Sequence, residues 1–166
     1  MTSTRRLFCL GAIGATAALL SACTTPIHTV TRTAPELAAA CPALAGTVVP
    51  ASAIGLPSGP VRIASAVLVP AAPATPEYCK VLGSMAARDA AAQAINFQVN
   101  LPTQWNGKAL QYGGGGFNGV LITGLTPLRD AAPSDPLPIA RGYVTLGTDS
   151  GHQAAAFAPH EPGAFA

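Results

Sequence analysis

Lys108-Ala109-Leu110-Gln111-Tyr112-Gly113-Gly114-Gly115-Gly116-Phe117-Asn118-Gly119 is the stretch on which the reading of this chain turns. Its first five residues have the pattern of a short strand, and they run straight into a loop holding five glycines. Backbone without Cβ atoms lets a ligand come close, and its N–H groups can then stabilise a developing negative charge. Gly114, Gly116 and Gly119 also satisfy a literal GxGxxG. A dinucleotide-binding loop of that kind opens a sustained helix and is followed about 20 residues later by an acidic residue at a strand end. Here Gly124 and Pro127 interrupt any helix, and Asp130 and Asp135 arrive too early, in Pro-rich sequence. The dinucleotide reading therefore ranks below a loop that binds developing charge, and a purely structural glycine turn remains as the plain alternative.

Upstream, Val61–Val69 is rich in β-branched residues and is closed by Pro70, which predicts a strand. Pro70, Pro73 and Pro76 exclude helix from the connector, and residues 78–83 predict a second, shorter strand. Residues 86–94 are expected to be a loop or a helical turn. Ile95, Phe97, Val99 and Leu101 alternate with Asn96, Gln98 and Asn100, the period-two pattern of a strand with one wet face. Pro102 ends that strand. Trp105-Asn106-Gly107 supplies a turn into 108–112, so the two strands are expected to pair as a hairpin. Downstream, Gly124, Pro127 and Pro133 limit residues 120–135 to short, irregular helix at most, and 137–141 has room for one helical turn. Gly142 then introduces a strand over 143–148 that ends in Asp149-Ser150-Gly151-His152. The sequence contains no internal repeat. An antiparallel opening, then strand, glycine loop, crossover and strand, describes an α/β fold.

A net charge of +2 with 10% charged residues excludes electrostatic nucleic-acid binding and a charge-driven disordered tail. Hydrophobic residues make up 49% of the chain but aromatic ones only 5%, so large core side chains are sparse and one domain at most is expected. Arg5 and Arg6 precede an apolar run over 7–20, the pattern of an export signal. Thr4-Arg5-Arg6-Leu7-Phe8 resembles the twin-arginine consensus, with the general secretory route as the alternative. Leu20-Ser21-Ala22-Cys23 resembles a lipobox, in which Cys23 would be diacylated and become the mature N-terminus; an ordinary cleavage site is the alternative. Two acyl chains would anchor the protein stably at a membrane, since each buried methylene contributes about 0.8 kcal/mol. Residues 1–22 are thus expected to be a signal peptide, 23–40 a tether without apolar periodicity, and 41–166 the folded part. The expected location is the cell envelope or periplasm, as a membrane-anchored lipoprotein, with a soluble secreted form as the variant.

With Cys9 in the signal and Cys23 lipidated, Cys41 and Cys79 remain. In an oxidising compartment such a pair suggests a disulfide, the alternative being two buried free thiols. No CxxC or Cys/His cluster points to a metal. Asp149, Ser150 and His152 invite a triad reading, but neighbouring residues just past a strand point to opposite sides, and Ser150 lacks GxSxG surroundings. Asp149 and His152 are expected to brace their loop instead. His28 and His160 are isolated and expected in exposed loops.

Seven segments, taken in order, resemble the tannase and feruloyl esterase family. They are Cys41, the strand ending at Val69, Glu77-Tyr78-Cys79-Lys80-Val81 with Gly83, and Ile95-Asn96-Phe97-Gln98-Val99-Asn100-Leu101-Pro102. Trp105-Asn106-Gly107-Lys108, the glycine loop 113–119, and Arg141-Gly142-Tyr143 leading to Thr148-Asp149-Ser150-Gly151-His152 complete the set. The resemblance implies the N-terminal part of an α/β-hydrolase sheet, with an antiparallel start followed by parallel strands, incomplete within these residues. It also implies that Cys41 and Cys79 match a family disulfide, that the Gly116 N–H serves an oxyanion hole, and that Gly115, Phe117 and Asn118 lie beside the substrate. Such enzymes are serine hydrolases that cleave phenolic or aromatic esters through an acyl-enzyme. Their nucleophile lies in a Cys-Ser-x-Gly-Gly motif absent from this sequence, and the acid, base and a lid with a calcium site follow it. The expectation is a chain with no cofactor of its own, an aromatic ester and a membrane as partners, no nucleic acid, and no activity by itself. A non-catalytic lipoprotein that binds aromatic ligands is the alternative from another class.

Overall fold

The computed structural model describes residues 33–89, 91–115 and 118–153, all within the unit Thr31–Ala166. The signal, Cys23, His28, Gly116, Phe117 and His160 lie outside the described residues. Helix α1 spans Ala34–Ala40 and leads into a 3-10 turn at Cys41–Leu44. Six strands follow: β1 Val48–Val49, β2 Val61–Val69, β3 Tyr78–Met85, β4 Ile95–Pro102, β5 Ala109–Gln111 and β6 Val144–Thr148. A second and third 3-10 turn lie at Ala51–Ala53 and Pro138–Arg141.

α1 occupies the last seven residues of the expected tether. Thr33-Ala34-Pro35-Glu36 carries its start signal: the Thr33 N–H donates to the Glu36 carboxylate at 2.7 Å, and Pro35 sits where a helix needs no N–H. A helix of about two turns is too short to display an apolar period, which is why composition alone reads it as linker.

The strands form one sheet in the order β1-β2-β3-β4-β6-β5. Every pairing is antiparallel except β5 with β6, which is parallel. The expected hairpin between β4 and β5 does not form. β6 inserts between them, pairing Asn100 with Thr145 and Val99 with Leu146 on one side and Thr145 with Leu110 on the other. The expectation of parallel strands after an antiparallel start is met by that single pair.

One face of the sheet packs around the Cys41–Cys79 disulfide, whose Cα atoms are 5.6 Å apart, within the range that a disulfide spans. Cys41, Ala66, Cys79 and Val81 are buried there, with Leu44, Ile63, Leu68, Val99 and Leu101 packed against them. Register explains the grouping, since Leu68 and Leu101 flank Cys79 and Ala66 and Val99 flank Val81.

The opposite face of β4, expected to be wet, is covered. Gln98 is 5% exposed and Asn100 fully buried. The Gln98 amide donates to Asn100 Oδ1 at 2.8 Å, and Asn100 Nδ2 donates to the Thr123 carbonyl at 2.8 Å and to Thr145 Oγ1 at 3.0 Å. The segment 118–124 lies over β6 at this face. Gly147 permits it, because a Cβ there would collide with the Ile122 carbonyl.

Candidate active site

β5 and β6 run parallel, so the glycine loop after β5 and the turn after β6 leave the sheet at the same end. β4 runs opposite to β6, which brings its first residues, from Ile95, to that end as well. Three strands therefore hold the site.

Tyr112 continues β5 by donating its N–H to the Leu146 carbonyl at 2.7 Å. Its phenol donates to the Thr126 carbonyl at 3.1 Å, and burial pushes its pKa up. Gly113, Gly114 and Gly115 follow, all exposed. Where a Cβ would stand at Gly113 and Gly115 nothing lies within 4 Å, and neither has a positive φ. Neither backbone conformation nor packing requires glycine at these two positions. Gly114 differs, because a Cβ there would strike the Asn118 side chain.

Asn118 returns the loop to β6. Its N–H donates to the Gly115 carbonyl at 3.1 Å, and its side-chain amide donates to the Thr148 carbonyl at 3.2 Å and to Ser150 Oγ at 2.8 Å. Both Asn118 and Ser150 have left-handed backbone, with φ of 58° and 59°.

Asp149, 2% exposed, is the one buried charge among the described residues of the site. Its Oδ1 accepts the Asn96 N–H at 2.9 Å and the Gly151 N–H at 2.9 Å. Its Oδ2 accepts the side-chain amides of Asn96 and Gln153, each at 2.7 Å. Burial alone would raise its pKa, but the donors on Gln153, Gly151 and Asn96 outweigh it and hold the carboxyl below the usual range. A carboxylate offers about four acceptor positions, and these four donors fill them. Asp149 thus has no position left with which to orient an imidazole, while His152 donates its backbone N–H to the Asp149 carbonyl at 3.0 Å. Ser150 Oγ faces the Asn118 amide. The Asp149 carboxylate and Ser150 Oγ thus each take side-chain amide donors. Asn96 and Gln153 were not singled out by the sequence. Asn96 stood in the β4 alternation, where its role could not be separated from that of Gln98 or Asn100.

The structure thus brings Gly115, Asn118 and Asp149 to one end of the sheet, and places Cys41 and Cys79 at the other, beside an apolar cleft of about 320 Å³ lined by Leu37, Leu44, Leu101 and Trp105. Among the described residues, no group of three or more His, Cys, Asp or Glu could hold a metal, and no helix is long and apolar enough to cross a membrane.

Residues 79–166, which include every element of this site, match the family model described as tannase and feruloyl esterase. The chain belongs to this family. An uncharacterised esterase of Agrobacterium fabrum is 47% identical over 125 residues, covering 73% of this chain and 23% of that protein. The mono(2-hydroxyethyl) terephthalate hydrolase of Piscinibacter sakaiensis is 35% identical over 91 residues, 49% of this chain and 15% of that protein. The chain therefore spans less than a quarter of the length of either relative.

Proposed function

We propose that this member of the tannase and feruloyl esterase family supplies the oxyanion loop of an exported serine esterase acting on aromatic esters. The observation that carries the reading is the open space at Gly113 and Gly115, in a loop that the sheet presents beside the end of β6. An oxyanion is stabilised by N–H donors about 2.7–3.1 Å away, and only backbone clear of side chains lets a reacting carbonyl come that near. A purely structural turn would give these glycines a positive φ or a close neighbour, and they have neither.

In this reading the Gly116 N–H donates to the carbonyl oxygen as it becomes anionic, while Gly115, Phe117 and Asn118 border the acyl group. The nucleophile comes from a Cys-Ser-x-Gly-Gly segment outside these residues. Asp149 and His152 hold the loop after β6 and take no part in proton transfer. The family description and the terephthalate ester in one relative's name support an aromatic acyl group. Export rests on Arg5-Arg6 with the apolar run, and a lipid anchor on Cys23. Because Ser150 faces an amide donor and Asp149 is fully occupied, the 166 residues by themselves are expected to be inactive.

The test is the full-length esterase assayed on methyl gallate, methyl ferulate and a 4-nitrophenyl ester. Turnover is expected, with Gly116→Val lowering kcat on the order of 100-fold. A fluorophosphonate probe should modify a serine other than Ser150. Labelling of Ser150 would relocate the active site, and saturable binding of aromatic acids without any turnover would make the protein a binding module instead.

A further inference from the structure

Asn118 is held at a cost that its own stability does not explain. Its backbone is left-handed at φ 58°, a conformation that glycine adopts without strain. Its Oδ1 is buried without a hydrogen-bond donor, over Gly114. Strained backbone and an unsatisfied buried acceptor at one residue are features found where position, rather than stability, determines the residue. What the residue gains is attachment: one side-chain nitrogen donates to the Thr148 carbonyl and to Ser150 Oγ, while the backbone N–H donates to the Gly115 carbonyl. Asn118 and Gly115 bracket positions 116 and 117, so both flanks of that pair are tied to each other and to the end of β6. Ser150, itself left-handed at φ 59°, has its N–H bonded to Thr148 Oγ1 at 3.1 Å, so the surface that receives the clamp is fixed too.

We infer that Asn118 is a positioning residue, an amide clamp that ties the glycine loop to Thr148 and Ser150 and so fixes the backbone on both sides of the N–H that the oxyanion reading assigns as donor. The inference rests on the oxyanion reading above and adds the device that aims the donor. Free of the clamp, the loop would be held only by β5 at one end and by the 118–124 segment at the other. Misplacement by about 1 Å costs on the order of 100-fold in rate, with little effect on ground-state binding.

The experiment compares Asn118→Ala, Ser150→Ala, Gly114→Ala, Gly116→Val and the double variant Gly114→Ala/Asn118→Ala in the full-length esterase. Steady-state kinetics are combined with hydrogen exchange of the peptide spanning 113–119. Asn118→Ala should lower kcat by roughly 10- to 100-fold while KM stays within about threefold, and loop exchange should quicken. Ser150→Ala, which leaves the Thr148 contact, should lie between it and wild type. Gly114→Ala, whose new methyl collides with the Asn118 amide, should resemble Asn118→Ala, and the double variant should be no worse than either single one. Wild-type kcat in Asn118→Ala beside a loss in Gly116→Val would overturn the clamp and leave the oxyanion reading standing. Full activity in Gly116→Val would overturn the oxyanion reading, and exchange in Asn118→Ala would then decide the clamp alone. A fall in kcat with unchanged loop exchange would also overturn it. If Asn118→Ala fails to fold, Ser150→Ala carries the same comparison.

Discussion

Replacing Asp149 by Asn changes a single oxygen to nitrogen, yet it should be among the most damaging isosteric substitutions in this domain. Oδ1 can keep its two backbone donors, from Asn96 and Gly151. The new amide nitrogen, however, meets the side-chain nitrogens of Asn96 and Gln153, each 2.7 Å from the oxygen that it replaces. Two hydrogen bonds to a charged acceptor are lost, at roughly 1.5–3 kcal/mol each, and rotation of the Asn96 amide recovers part of one. The net is a destabilisation of about 2–4 kcal/mol, which lowers a urea midpoint by roughly 1–2 M for a domain of this size. The pH dependence gives the sharper test. The Asp149 carboxyl is held below its ordinary value by Gln153, Gly151 and Asn96 against the opposing effect of burial. Its contribution is therefore fully present above the unfolded value of about 3.9 and is lost as pH falls through the lower folded value. A protonated Asp149 meets the same donors as an asparagine does, so the gap between wild type and Asp149→Asn should close as pH falls through that range. Urea unfolding at pH 7 and at several acid pH values measures it. Equal midpoints at pH 7, or a gap that persists unchanged into acid, would refute the assignment of Asp149 as the anchor of this loop.

Reducing the Cys41–Cys79 bond, or replacing both cysteines by Ser, should lower stability by about 4 kcal/mol on the chain-entropy relation for their sequence separation of 38, and differential alkylation should find both sulfurs blocked before reduction. Gly147→Ala should destabilise the domain by about 1–3 kcal/mol, because its methyl displaces the Ile122 carbonyl from β6; a midpoint equal to that of wild type would show that residues 118–124 do not lie on the sheet. Cys23 should be recovered as an acylated N-terminal residue by mass spectrometry of membranes, with Cys23→Ala moving the protein to the soluble fraction; a soluble wild-type protein beginning at another residue would end the lipoprotein reading.

Much of the frame was legible because it depends on local pattern. β2 matches its expected bounds, β3 runs on to Met85 past its expected end at Gly83, and the turns at Gly107 and over 138–141 fall where their residue types require. Gly107 has φ 82° and the Asn106 side chain accepts the Lys108 N–H at 2.9 Å, as the Asn-Gly pair suggests. Site residues were legible as types but not as contacts. The glycine loop declared itself by composition, whereas the pairing of Asp149 with Asn96 spans 53 residues and joins two strand ends that no local window connects. The burial of Gln98 and Asn100 is not legible for a related reason: polarity suggests exposure, while in this fold the amides find their partners inside.

That same amide pair explains why the hairpin gave way to an inserted strand. The direction of β5 is the same in either arrangement, since a strand returning from β4 through a short turn and a strand parallel to β6 both run toward the site. Only the neighbour differs. Beside β4, Asn100 is fully buried and needs acceptors for its amide, and β6 brings Thr145 Oγ1 to it at 3.0 Å while the segment over β6 brings the Thr123 carbonyl. β5, with Ala109, Leu110 and Gln111, offers no short hydroxyl at the height of Asn100. An unpaired buried amide costs about 1–3 kcal/mol, so the polar residues of β4 select β6 as the adjacent strand. The selection also shapes the candidate site. With β6 next to β4, the turn after β6 lies against the first residues of β4 and Asp149 reaches Asn96. With β5 next to β6, the glycine loop lies against the same turn and Asn118 reaches Thr148 and Ser150. The buried amides in the middle of the sheet thus determine which loops meet at its end.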